Sequence, residues 1–183
     1  TPESTDGTES DRRFVSAGWC NAESWMEGYL FAVDLLRLMQ SNLDVVERIY
    51  MLETACSMQV LRTLAMQSMR LMSGAEPCSG PDYRLAVSAP EENRPVIRRL
   101  SQQSVKAIEK MIFQSLRSDT IELPENEGER NKKLKQADRS YGSKLFVGLS
   151  KRLGFVVPKR GAGARFVLNE QLLRLLVVTT VPV

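Results

Sequence analysis

Apolar residues recur at helical spacing along most of the chain, and the first clear run is Trp25, Tyr29, Ala32, Leu36 and Met39. That spacing predicts an amphipathic helix reaching Gln40, capped by Asn21 or Ser24, with Ser24 and Glu27 in capping-box register. Ser41, Asn42 and Asp44 break it and cap a second helix that runs to about Met72. The second helix carries two apolar stripes. One passes through Val45, Ile49, Leu52, Cys56, Val60 and Leu64, the other through Met51, Thr54, Met58, Leu61, Ala65, Met69 and Met72. A helix apolar on two sides is either central in a bundle or shared between its own core and a partner. Its methionines fit both roles, as fillers of an irregular core or as an adaptable docking groove.

Residues 73–95 are rich in Gly, Pro and Ser and mark the clearest internal boundary, with room for a short strand at 83–87. Pro95 then sits as the first residue of a third helix, Asn93 as its cap, and Ile97, Leu100, Ser104, Ile108, Met111, Ile112 and Leu116 as its inner face. Residues 120–123 alternate and stop at Pro124, which predicts a short edge strand. Residues 125–139 offer only Leu134 and Ala137 for burial, so they read as a short surface helix or a basic linker. Tyr141, Leu145, Leu149 and Leu153 recur every four residues with Phe146 beside them, and Gly154 stops that helix. Two apolar runs, 155–158 and 165–168, flank a Gly-containing loop and predict a β-hairpin. Asn169 caps a last helix with Leu172, Leu173, Leu176 and Val177 inward. No internal repeat is present. The fold class is therefore mainly α: a polar tail over 1–13, a helical region over 14–72, a linker over 73–94, and a C-terminal module with a small hairpin over 95–183.

Composition matters most through one absence. The chain has no histidine, which removes Ser-His-Asp and Cys-His catalysis, imidazole acid/base chemistry and every zinc pattern that needs imidazole. Cys20, Cys56 and Cys78 are odd in number and widely spaced, so they read as free thiols of a reducing compartment, cytoplasmic, nucleoid or nuclear. Cys20 has no histidine to activate it, Gly161-Ala162-Gly163 lacks the rest of a phosphate-cradling motif, and Glu125, Glu127 and Glu129 lie in a polar, solvated stretch. The expectation is a protein without catalysis, cofactor, metal or small-molecule substrate. Asp34 and Arg37 interrupt the most apolar helix and argue against a membrane span. Residues 172–183 are strongly apolar, which implies either a native chain continuing past Val183 or a partner covering this end.

Charge is divided unevenly. Residues 1–80 carry 11 acids and 6 bases, residues 81–129 carry 9 and 7, and residues 130–174 carry only Asp138 and Glu170 against 12 bases. All eight lysines fall between Lys106 and Lys159. Such asymmetry reads as a polyanion-facing C-terminal module on an acidic body, or as a solvated basic face balanced within the molecule. Lys144, Lys151 and Arg152 flank the apolar stripe of one helix, and Lys159, Arg160 and Arg165 bracket the hairpin loop, while Lys132, Lys133 and Lys135 add a diffuse field.

The order helix, short strand, weak helix, strong helix, hairpin over roughly 95–168 resembles a winged helix-turn-helix domain. The resemblance rests on element order and basic placement, and implies that residues 141–154 form the helix entering the DNA major groove and residues 158–165 the wing. The functional expectation is non-catalytic binding of double-stranded DNA through Lys144, Lys151, Arg152, Lys159, Arg160 and Arg165. A protein partner or a second copy would meet the helical region and the 172–183 tail. The alternative is a structural adaptor whose surfaces all face protein.

Overall fold

A computed structural model of the chain describes residues 25–73, 84–118, 121–158 and 163–180. Helix α1 (Trp25–Gln40) ends where Ser41 folds back and donates its hydroxyl to the Leu38 carbonyl at 2.6 Å. Asp44 caps α2 (Val45–Ser73), accepting from the backbone N–H groups of Val46 and Glu47 at 2.9 and 3.0 Å. Arg48 straps the turn by donating to the carbonyls of Ser41 and Leu43. This break is the one the sequence predicts; Asn21 and Ser24 lie outside the described residues.

The faces of these helices differ from expectation. Leu38 is fully buried with Phe31 and Leu35 packed beside it, whereas Tyr29, Leu36 and Met39 point to solvent. Because α1 is apolar on nearly every side, spacing alone does not choose which side turns inward. On α2 the two stripes separate in the main, although Met72 of the second is exposed and Leu52 and Leu64 of the first pack against the core. Met51, Thr54, Leu61, Ala65 and Met69 are buried, while Val45, Ile49, Cys56 and Val60 are exposed. The buried methionines Met51, Met66 and Met69 are core fillers.

Helix α3 (Pro95–Ser115) starts at Pro95 as predicted, but its cap position is Arg94 and not Asn93. The carboxylate of Glu92 accepts from the Arg94 backbone N–H at 2.9 Å and grips its guanidinium. Glu92 is thereby held down to about 2, chiefly by the Arg94 side-chain hydrogen bond. The inner face of α3 is Ser101, Val105, Ile108, Ile112 and Ser115, with Leu100 exposed. Two serines replace the expected leucine because their hydroxyls have fixed acceptors inside, Phe166 O for Ser101 and Ile112 O for Ser115.

From Glu127 to Arg152 the chain is helical without a turn. It passes through α4 (Glu127–Ala137), a π-helical stretch (Asp138–Val147) and α5 (Gly148–Arg152). Asn126 caps α4, accepting from Gly128 and Glu129 N–H, and Glu127 and Glu129 favour the positive end of the helix dipole. Residues 125–139 are thus mostly a surface helix, and α4 itself buries no residue. The break that a helix-turn-helix needs between its two helices is replaced by the π-helical stretch. Its i→i+5 register also moves the inward face from Tyr141 and Leu145 to Gly142 and Phe146. Gly142 lies against α3 so closely that a Cβ there would collide with the Phe113 ring.

Gly154, at φ 69°, ends the helix and leads into the predicted hairpin, β1 (Val156–Val157) with β2 (Arg165–Phe166). The pairing is antiparallel, Val156 opposite Phe166 and Val157 opposite Arg165. Residues 121–123 and 84–87 form no strand; only Ser88 bridges to Val167, in parallel. Thr120 and Tyr83 lie outside the described residues. Asn169 caps α6 (Glu170–Thr180) through the Leu172 N–H at 2.8 Å, as predicted. The inward residues of α6 are Leu172, Leu175 and Thr179, while Leu173, Leu176 and Val177 are exposed.

Two apolar clusters result. Leu61 and Ala65 of α2 join Val105, Ile108 and Ile112 of α3, Phe146, Val156 and Phe166 in one; Leu38, Met51, Ala55 and Leu175 form the other. Both clusters combine residues from either side of the 73–94 segment. The molecule is mainly helical with one small antiparallel sheet, and no described helix is long and apolar enough to cross a membrane. Ile112→Ala is expected to cost about 2–5 kcal/mol in urea unfolding, because it opens a cavity in the first cluster. Ile49→Ala, on the exposed stripe of α2, is expected to stay within about 0.5 kcal/mol.

Candidate nucleic-acid interface

The six cations singled out in the sequence fall into three groups. Lys144 and Arg152 are exposed, Lys144 in the π-helical stretch and Arg152 at the end of α5, with Lys151 partly exposed beside it. Lys159 and Arg160 lie outside the described residues. Arg165 is turned inward. It is 8% exposed and its guanidinium donates to Ser88 Oγ, to Ala89 O at 3.0 Å and to Pro90 O at 2.8 Å. Its role is to fix the chain at 88–90 against the hairpin, so the expectation of Arg165 as a phosphate contact gives way to a structural one. A planar fork with several donors suits that task in a way a lysine does not.

The helical stretch carries further cations, for Lys132, Lys133, Lys135 and Arg139 are all exposed. A second set was not singled out from the sequence. Arg98, Lys106 and Lys110 follow one another along the polar side of α3 with Gln102 between them, and Arg99 stands alongside; all four cations are exposed. The signal is present as a four-residue spacing of polar residues, but α3 has acidic neighbours in sequence and its charge there looks balanced. Two contacts fasten α3 to the hairpin and to the helical stretch. Gln102 Nε2 donates to Gly163 O at 3.3 Å, placing the polar side of α3 beside the hairpin. Arg117, just past α3, grips Asp138 at 2.7 and 2.9 Å where the π-helical stretch begins. A cleft of about 430 Å³ between α3 and the hairpin is lined by Arg98, Gln102, Val157, Pro158, Gly163 and Arg165.

Pairing of the carboxylates decides the electrostatics. The two acids of residues 130–174 are both taken by arginines, Asp138 by Arg117 and Glu170 by Arg174, which also holds Glu47. The guanidinium of each is stabilised further in its charged form, first by the hydrogen bond to Asp138 for Arg117 and to Glu47 for Arg174. None of the seven described lysines, Lys106 to Lys151, enters an ion pair. Their charge is therefore left to solvent. Chemically the arrangement offers point cations on rigid helices. Among the described residues no group of three His, Cys, Asp or Glu side chains could hold a metal ion.

Comparison with family models, with curated proteins and with solved structures finds no match for this chain. Arg165→Met is expected to lower stability by about 2–4 kcal/mol, since it takes a charged donor from the buried Ser88 hydroxyl and from the part-buried carbonyls of Ala89 and Pro90. Arg152→Met should change it by less than about 0.5 kcal/mol. Urea unfolding of the two variants checks both.

Proposed function

We propose that this chain binds double-stranded nucleic acid, without catalysis, through the cations of the 127–152 helical stretch and the polar side of α3. The observation that carries the reading is the unpaired state of the lysines. Asp138 and Glu170 are already bound to arginines, and the described lysines have no ion-pair partner, so a polyanion would meet cations that need give up no internal partner. Phosphate contact of this kind releases counterions and is indifferent to sequence. In the finer reading the hairpin acts as a wing, and Lys159 and Arg160, which follow its first strand in sequence, add to the same field. Such a protein would work in a reducing compartment that holds nucleic acid, in the cytoplasm, nucleoid or nucleus. Fluorescence anisotropy of a labelled duplex against salt provides the test. If five or six phosphates are met, log affinity should fall with log salt at a slope of about −5. Reversing Lys132, Lys133 and Lys135 to Glu should weaken binding tenfold or more and flatten that slope. Absence of binding at low salt, from a folded sample, removes the proposal.

A second reading, a protein-binding adaptor, draws on a different surface. Tyr29, Leu36 and Met39 of α1 and Val45, Val46, Ile49 and Tyr50 of α2 are all exposed. Large apolar side chains exposed in such number on two adjoining helices favour contact with protein. In that reading sedimentation velocity of the whole chain shows self-association, or association with a partner, that Leu36→Glu with Ile49→Glu abolishes while the lysine reversals leave it intact.

A further inference from the structure

Between α1, α2, α6 and the 85–87 segment lies a cavity of about 460 Å³. Its floor is the buried core itself, Leu61, Ile108, Phe146, Phe166 and Leu172, and its mouth carries the exposed Leu85, Val87 and Leu176. The volume is in the range of small-molecule sites and far above ordinary packing voids. Water is a poor occupant. At ~30 Å³ each, about fifteen waters would be needed, and each wants two to four polar partners. The described lining offers four polar side chains, two of which are already committed: Gln59 donates to Glu27 O and Thr63 Oγ1, and Thr179 to Leu175 O.

Asp34 and Arg62 remain. Both line the cavity, they form no ion pair with each other, and Arg62 makes no hydrogen bond among the described residues. Arg37 also acts on Asp34 electrostatically, so two guanidiniums stand against one carboxyl at this rim. Burial, the largest influence, raises the Asp34 carboxyl above the usual carboxylate range in spite of them. An apolar chamber with a free guanidinium fork at its edge and a surplus of positive charge selects an amphipathic anion. A cationic head would meet the Arg62 guanidinium.

We propose that this cavity binds a medium-chain aliphatic carboxylate, the tail on the Leu61, Ile108 and Phe166 floor and the carboxylate on Arg62. The inference is independent of the nucleic-acid reading and departs from the expectation of no small-molecule ligand. Isothermal titration calorimetry of the full chain with decanoate and with decan-1-ol, both kept below their aggregation concentrations, tests it. Decanoate should bind at least tenfold more tightly than the alcohol. Arg62→Gln should remove that preference, Arg62→Lys should retain part of it, and Ala65→Phe, which fills the floor, should weaken both ligands. Reversal of Lys132, Lys133 and Lys135 should leave decanoate binding unchanged, which separates this site from the polyanion surface. Equal affinity for acid and alcohol, indifference to Arg62→Gln in a sample folded by circular dichroism, or no binding to the wild-type chain would each overturn the proposal. Should Ala65→Phe fail to fold, the Arg62 variants decide alone.

Discussion

The carbonyl oxygen of Phe166 accepts three hydrogen bonds, from Ser88 N–H at 3.0 Å, Ser88 Oγ at 2.9 Å and Ser101 Oγ at 2.8 Å. Its ring lies 1% exposed between Phe155 and Phe146, at centroid distances of 4.7 and 6.3 Å. One residue thus ties the 84–90 segment, α3, the hairpin and the end of the long helix to a single point. Arg165 completes the arrangement by binding Ser88, Ala89 and Pro90. A buried carbonyl with three donors is costly to disturb, because every donor left behind is also buried or half-buried. The hairpin is only two residues deep on each side, yet its placement rests on these polar contacts and not on ladder length.

Positive charge is divided between interior and surface. Four arginines serve the interior and the joints, Arg70 with Glu27, Arg48 across the α1–α2 turn, Arg117 at Asp138 and Arg165 beneath the hairpin, while Arg98, Arg99, Arg139 and Arg152 stay exposed. Lysines take no such part among the described residues. The guanidinium holds several acceptors in one plane, while an ammonium on a flexible stem keeps its hydration and its long-range field. The consequence is a surface whose charge can be altered without loosening the fold, and an interior where the same change is expensive.

Much of the fold was legible in the sequence, because local signals sufficed. Asp44, Pro95, Asn169, Gly154 and the hairpin all act where their residue chemistry places them. Helix faces were harder. On α1 and α6 apolar residues surround the axis, and the inward side is set by neighbours that no local pattern names. The Tyr141 stripe misled for a different reason, since a four-residue repeat presumes α geometry and the chain there is π-helical. Of the candidate site, Lys144, Lys151 and Arg152 stand exposed or partly exposed as read. Arg165 did not, because its proximity in sequence to the loop said nothing about the acceptors at 88–90 that draw it inward. The α3 cations needed the Gln102 contact to connect them with the hairpin at all.

Asn169 has a consequence of another kind. Its side-chain amide donates to the Leu153 carbonyl at 2.8 Å and its oxygen accepts from Leu172 N–H at 2.8 Å, so one residue pins the end of the long helix to the start of α6. Gly154 is left just enough room beside it, for a Cβ there would lie 2.6 Å from Asn169 Nδ2. The two feet of the hairpin are therefore fastened to each other, and a connection between fixed feet costs little more to close as it lengthens. Evolution could lengthen, shorten or recharge that connection while the rest of the molecule stayed as it is, making it the natural place for descendants of this chain to diverge.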